Sequence, residues 1–94
     1  MRLTGKAKEQ FEEWFNTHHV YEHSGLAKFE YLPESMQWGV YQDWADSIDI
    51  WIEVYPIGNN LFCWSISNYG NTKTTRQEAR NAAIDKLNEI VNEK

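Results

Sequence analysis

Residues 48–55 alternate strictly between two kinds of side chain, and this alternation constrains the fold more than any other feature of the sequence. One set is aliphatic and the other is acidic or aromatic: Ile48, Ile50, Ile52 and Val54 against Asp49, Trp51, Glu53 and Tyr55. Successive side chains of a strand point to opposite faces of a sheet, so the pattern predicts a half-buried strand from Ile48 to Tyr55. The turn composition of residues 56–60 then predicts a hairpin with a second strand, Leu61 to Ser67.

A third strand is predicted before these two, from about Met36 to Trp44. If Trp44 pairs with Ile48, and Tyr55 with Leu61, both hairpins place their bulky side chains on the same face of one sheet. One buried face requires this agreement. The sequence therefore predicts a three-stranded antiparallel sheet.

Helical periodicity flanks the sheet on both sides. The first helix is predicted from about Thr4, its N-cap, to His18, and the second follows the capping box from Thr75 to Glu78 and ends near Asn92. We expect an α+β fold of order α-β-β-β-α, a single domain over residues 1–94 with both helices on one sheet face. The expected core contains Trp38, Trp44, Ile50, Ile52, Phe62 and Trp64, packed against Phe11, Trp14 and Phe15.

Charge is unevenly distributed along the chain, whose 94 residues have a net charge of −5. Residues 29–72 contain no Lys, Arg or His but hold six acids: Glu30, Glu34, Asp43, Asp46, Asp49 and Glu53. No apolar run has the length of a signal peptide or membrane span, and the single cysteine, Cys63, excludes an intrachain disulfide. We expect a cytoplasmic protein, located in the host-cell cytoplasm if it is encoded by a phage.

The sheet face turned away from the helices is the predicted functional surface. It is expected to place aromatic rings at its centre and carboxylates around them, including Asp43 directly opposite Asp49, although like charges at opposed positions destabilise a sheet. The candidate partner-binding residues are Tyr41, Asp43, Asp49, Trp51, Glu53 and Tyr55.

Two carboxylate-containing groups invite a catalytic or metal interpretation. The H-x-x-E-H pattern from His19 to His23 occurs in inverted zinc proteases, and Asp43, Asp49 and Glu53 resemble a cation or acid/base cluster. The first lies where the helix is expected to end, and the second has no neighbouring His, Lys or Ser. We interpret both as surface groups and Cys63 as an unactivated thiol. The prediction is a protein that is not an enzyme, with no metal and no cofactor.

Residues 70–84 resemble the C-terminal helix of double-stranded-RNA-binding domains, which share the α-β-β-β-α order. The resemblance implies that Lys73, Arg76 and Arg80 would contact phosphates. Gln77 occupies a position that is usually basic, and the expected loop Ala45-Asp46-Ser47 lacks a histidine for the minor groove. Nucleic-acid binding is therefore kept as an alternative.

The whole chain is also similar to small, uncharacterised proteins of phages and prophages. The residues that carry this similarity are 3–14, 36–41 and the Thr75–Arg80 segment. The resemblance implies an inhibitor or modulator of host machinery, as the anti-CRISPR proteins are, that binds a host protein with a basic surface, such as a nucleic-acid-binding effector. A second alternative is a homodimeric accessory protein that self-associates through the same sheet face.

Overall fold

The computed structural model describes residues 3–18 and 29–94. The helices are α1 (Gly5–His18), α2 (Glu34–Ser47) and α3 (Arg76–Asn92), and the strands are β1 (Ile52–Gly58), β2 (Leu61–Ile66) and β3 (Tyr69–Lys73). The strands form one antiparallel sheet of order β1-β2-β3. The predicted α+β class with a three-stranded antiparallel sheet is confirmed.

The predicted strand from Met36 to Trp44 is wrong, because these residues belong to α2. The helix follows Pro33, whose carbonyl accepts hydrogen bonds from the backbone N–H groups of Met36 and Gln37 at 2.9 and 3.0 Å. Its buried residues are spaced three and four apart as well as two apart: Trp38, Val40, Tyr41, Trp44 and Ala45. The apolar spacing of residues 36–44 fits either a strand or a helix, and packing of this helical face against α1 and β1 selects the helix.

The hairpin of β1 and β2 is present, but its register differs from the prediction by two residues. Ile52 pairs with Ile66 and Val54 with Trp64, whereas Ile52 was expected opposite Trp64. A register irregularity between Pro56 and Gly58 lengthens the hairpin. Because side chains alternate with a period of two, a two-residue offset keeps every side chain on its predicted face.

The third strand lies after the hairpin, between the predicted strand that ends at Ser67 and the predicted helix start at Thr75, where no strand was predicted. Residues of β3 pair with β2, with Ile66 opposite Tyr69 and Phe62 opposite Lys73. All five residues of β3 are exposed, so no apolar alternation marks this strand in the sequence. The sheet therefore extends away from α2, and β1 and β3 are its two edges.

The two faces of the sheet differ in their covering. Helix α3 lies mainly over β2 and β1, and α1 packs on α3. Ile52 and Ile66 are buried on the covered face. The open face holds the residues of opposite parity: Glu53 and Tyr55 in β1, Cys63 and Ser65 in β2, and Gly70 and Thr72 in β3.

Phe11 lies at the centre of an aromatic cluster that joins α1 to α2. Its ring centroid is 4.9 Å from Tyr41, 5.1 Å from Phe29 and 5.4 Å from Trp44. Of the predicted core, Trp38, Trp44, Ile50, Ile52, Phe11 and Phe15 are buried, whereas Trp14, Phe62 and Trp64 are half-buried. The core thus lies between α1, α2, α3 and the covered sheet face.

Thr4 lies at the predicted N-cap position of α1, and its carbonyl accepts from the Lys8 N–H at 3.2 Å. The side-chain acceptors at this helix start come from α3. Asn92 Oδ1 accepts from the Ala7 N–H, and Asn88 Oδ1 accepts from the Thr4 N–H, both at 2.8 Å. Asn92 Nδ2 also donates to the Thr4 carbonyl at 3.0 Å. Gly5 has φ of +57°, and a Cβ there would lie 3.2 Å from Asn92 Oδ1. Two asparagines one helical turn apart therefore supply the side-chain acceptors that Thr4 was expected to provide.

We expect Asn92→Ala to lower the free energy of unfolding by about 1–2 kcal/mol, since it removes a helix-capping acceptor and a second bond to Thr4. Urea denaturation followed by circular dichroism measures the change. Glu93→Ala is the control, because Glu93 is exposed and its side chain makes no such contact. An equal effect of both substitutions would show that Asn92 does not cap α1.

Candidate binding surface

The junction between α2 and β1 carries four acidic side chains and an exposed tryptophan. Ile50 N–H donates to the Ala45 carbonyl at 2.8 Å, and Asp49 N–H donates to the Asp46 carbonyl at 3.1 Å, which holds the turn against the helix end. Gln42 Nε2 donates to the Ile52 carbonyl at 3.3 Å and fixes α2 beside β1. We name the resulting surface the Trp51 patch, comprising Asp43, Asp46, Asp49, Trp51 and Glu53.

Trp51 is 69% exposed although it directly precedes a strand of the core sheet. Ser67 N–H donates to its carbonyl at 3.4 Å, which continues the β1–β2 register by one pair. The Trp51 ring therefore lies on the open face, beside Glu53. An indole that is mostly in water contributes little to folding but supplies a large apolar contact to a partner.

No Lys or Arg side chain of residues 3–18 and 29–94 forms an ion pair with the carboxylates of the Trp51 patch. Within the described ranges the ion pairs are Lys8–Glu12 in α1 and Lys86–Glu89 in α3, and neither involves the patch. Asp43, Asp46 and Asp49 are exposed, and Glu53 is half-buried. The patch therefore presents net negative charge without internal compensation.

The position of these acids on α2 is electrostatically unfavourable. Asp46 lies in the last turn of the helix, where the backbone carbonyls already place partial negative charge, and this turn contains no basic residue. Asp49 adopts φ of +61°, a left-handed conformation that aspartate tolerates better than most residues. The fold thus retains negative charge where it gains no stability from it.

A second, uncharged region of the open face lies toward the tip of the β1–β2 hairpin. Tyr55, Ile57 and Leu61 are exposed there. Tyr55 lies opposite Cys63, and the side-chain hydrogen bond between them raises the pKa of the Tyr55 phenol above its ordinary value. The phenol therefore keeps its proton at physiological pH, and its hydroxyl is hydrogen-bonded to Cys63.

Three of the predicted partner-binding residues lie on the open face, namely Trp51, Glu53 and Tyr55. Asp43 and Asp49 flank this face, on α2 and in the turn that follows it, rather than facing each other across two strands. Tyr41 is misplaced by the prediction: it lies in α2, is only 4% exposed, and contacts Phe11 and Phe29. Asp46 and Ile57 belong to the exposed surface but were assigned to a loop and a turn.

The basic residues of the alternative nucleic-acid site lie around the start of α3. Thr75 is the N-cap, as predicted, and its hydroxyl accepts from the Glu78 N–H at 3.1 Å. The Arg76 guanidinium lies 4.9 Å from the Phe62 ring centroid, and Arg80 is half-buried with its Nε enclosed. Lys73 is exposed at the end of β3. Two of the three cations are therefore partly engaged with the domain itself.

Among residues 3–18 and 29–94, no three His, Cys, Asp or Glu side chains group as metal ligands would. No helix in these ranges combines the length and apolar character needed to cross a bilayer. The His19–His23 motif lies outside the described residues.

Comparison of the chain with protein-family models, with curated proteins and with solved structures finds no match.

We expect Asp46→Asn to raise the free energy of unfolding by about 0.3–1 kcal/mol, because it removes a negative charge from the carbonyl end of α2 with little change in shape. Urea denaturation at low salt measures the gain, and added salt should reduce it. Asp85→Asn, in the middle of α3, is the matched control and should change stability less. A loss of stability in Asp46→Asn would indicate that the carboxylate supports the fold.

Proposed function

We propose that this chain is a non-enzymatic binding protein whose Trp51 patch engages a basic surface on a partner protein. The single observation that supports the proposal most is the exposed Trp51 ring at a junction with four carboxylates that form no ion pair with a described cation. Aromatic anchors dominate interface energies, and surrounding charges guide the approach of the partner.

The chemistry of the patch selects the kind of partner. An acidic surface gains Coulomb energy against a surface rich in lysine and arginine, and grooves that bind nucleic acid present these residues in clusters. A flat, exposed indole packs well on aliphatic or guanidinium groups within such a groove. We propose a nucleic-acid-binding protein as the partner and competition with nucleic acid as the consequence.

The similarity to small phage and prophage proteins agrees with this assignment. A phage-encoded protein of this kind would act in the host cytoplasm and inhibit or modulate a host defence or nucleic-acid effector, as anti-CRISPR proteins do. The RNA-binding alternative has less support, because Arg76 and Arg80 are partly engaged with the domain.

The test is affinity capture from bacterial lysate by the immobilised full chain, followed by binding assays with the purified captured protein. We expect a nucleic-acid-binding protein whose binding weakens as ionic strength rises and which duplex DNA displaces. The double variant Asp43→Lys/Asp46→Lys should lose the interaction, because both exposed carboxylates become repulsive toward a basic partner.

Asp85→Lys/Glu93→Lys is the matched control, since it makes the same change in net charge at exposed positions, one within α3 and one at its C-cap. It should capture the same protein as the unaltered chain. Equal binding by both double variants would contradict the assignment of the interface to the Trp51 patch. Binding of duplex RNA by the chain itself, abolished by Lys73→Ala/Arg76→Ala, would favour the alternative.

A further inference from the structure

The two edge strands of the sheet differ in whether a further strand can pair with them. Along β1, Pro56 has no N–H to offer, Gln42 Nε2 occupies the Ile52 carbonyl, and α2 lies alongside the strand. These features prevent further strand pairing at that edge. Strand β3, at the other edge, contains no proline and is exposed over its whole length, because α3 lies mainly over β1 and β2.

The hydrogen-bonding direction of each β3 residue follows from the ladder. Ser67 N–H bonds to the Trp51 carbonyl, so the pairs Glu53–Ser65 and Tyr55–Cys63 are also of the hydrogen-bonded type. The alternate residues of β2, from Phe62 to Ile66, must then bond to Tyr69, Asn71 and Lys73. Gly70 and Thr72 therefore direct their backbone N–H and carbonyl groups away from the sheet.

The outward backbone N–H and carbonyl groups of Gly70 and Thr72 permit β3 to pair with the same strand of a second copy. If a two-fold axis passes beside Asn71, Gly70 of one copy lies opposite Thr72 of the other, and the two residues exchange both backbone hydrogen bonds. The same arrangement places Lys73 opposite the uncharged Tyr69 of the second copy. Residues at directly opposed positions of the two β3 strands carry no like charges, and a further cation nearby is Lys86, whose Nζ lies 3.9 Å from the Tyr69 ring centroid.

The distribution of charge also favours a second copy at this edge. The carboxylates of the Trp51 patch lie on α2 and at the start of β1, on the far side of the sheet from β3. Pairing through β3 keeps the two acidic patches at opposite ends of the assembly. A two-fold contact through the open face at Trp51 would bring Asp49 and Glu53 close to their own copies.

We propose that β3 pairs with β3 of a second copy of this chain, giving a dimer with a continuous six-stranded antiparallel sheet. In the single chain, Asn71 Oδ1 accepts from the Thr72 N–H at 2.8 Å. On pairing, this bond is exchanged for one to the carbonyl of Gly70 in the second copy. The dimer leaves both Trp51 patches exposed and so presents two binding surfaces to a partner.

The first test measures mass against concentration for the full chain, whose monomer mass is 11.1 kDa, by sedimentation equilibrium. Thr72→Pro removes an outward N–H that no β2 residue uses, so it should raise the dimer dissociation constant by about tenfold to a hundredfold. Thr72→Val keeps the N–H and should dimerise as the unaltered chain does. A chain that stays monomeric throughout the series would overturn the proposal, as would a dimer insensitive to Thr72→Pro.

The second test decides the register and does not depend on the folding of the proline variant. Asn71 would face its own copy in a pair without hydrogen bonds, with Cβ atoms about 4.5–5.5 Å apart. In a Cys63→Ser background, Asn71→Cys should therefore form a disulfide-linked dimer under mild oxidation, whereas Asn59→Cys at the hairpin tip should not. Equal crosslinking at both positions, or none at position 71, would contradict the β3 pairing.

Discussion

Phe11→Ala is expected to lower the free energy of unfolding by about 3–5 kcal/mol, the largest effect of any single change considered for this chain. Phe11 is 3% exposed, and its ring touches aromatic residues of α1, of α2 and of the segment before α2. Truncation would leave a cavity between two helices. Since small domains are stable by about 5–15 kcal/mol, the variant should be largely unfolded at moderate temperature.

Urea denaturation followed by tryptophan fluorescence and circular dichroism measures this loss. Tyr31→Ala is the control, because Tyr31 is 86% exposed and its removal should change stability by less than about 0.5 kcal/mol. A small effect of Phe11→Ala would mean that the aromatic cluster does not hold α1 against α2.

Trp51→Ala should leave thermal stability nearly unchanged yet weaken partner binding by at least about 2 kcal/mol, or roughly thirtyfold in Kd. Thermal stability and partner binding should respond differently because the ring is in water in the free chain and would be buried only in the complex. Calorimetric titration against the captured partner, combined with thermal unfolding of both forms, measures the two quantities together.

Trp51→Phe, which keeps part of the apolar surface, should lose less affinity than Trp51→Ala. Tyr31→Ala serves again as the control, as an exposed aromatic outside the Trp51 patch. If Trp51→Ala unfolds the chain, the indole is a core residue; if it binds normally, the interface lies elsewhere on the surface.

The β1–β2 hairpin could be predicted from sequence because the periodicity of 48–55 is unambiguous. The faces of its residues were therefore right even though its register was offset by two, and Trp51, Glu53 and Tyr55 were placed on the open face. The offset arose because residues 56–60 were treated as one turn, whereas Pro56 and Ile57 extend β1 past an irregularity. Turn composition alone does not fix where pairing stops.

The segment from Met36 to Trp44 was harder to predict, because the spacing of Trp38, Val40 and Trp44 fits both the strand period and the helix period. Only Val40 is β-branched there, and Glu34 directly after Pro33 is a helix-start signal that favours α2. Tyr41 was misplaced for this reason alone. The strand β3 left no sequence signal, since an exposed edge strand buries nothing and needs no apolar alternation.

The acids at the end of α2 connect the fold to the proposed function. Selection for stability alone would remove Asp46 from the last turn of a helix, because most natural domains can be stabilised by such changes of surface charge. Retaining the charge is consistent with a use in recognition. Asp46→Asn and Asp43→Lys/Asp46→Lys separate these effects, since the first measures stability and the second measures binding.

The hydrogen bonds of Asn88 and Asn92 that join α1 to α3 have a consequence for how the chain folds. They connect residues whose sequence separation is 84 to 88, whereas β1, β2, β3 and α3 are consecutive and pair with near neighbours. Closing so long a loop loses much chain entropy before any contact is gained, so α1 should dock after the sheet and α3 have formed. Substitutions at Asn88 and Asn92 should then accelerate unfolding while leaving the refolding rate nearly unchanged.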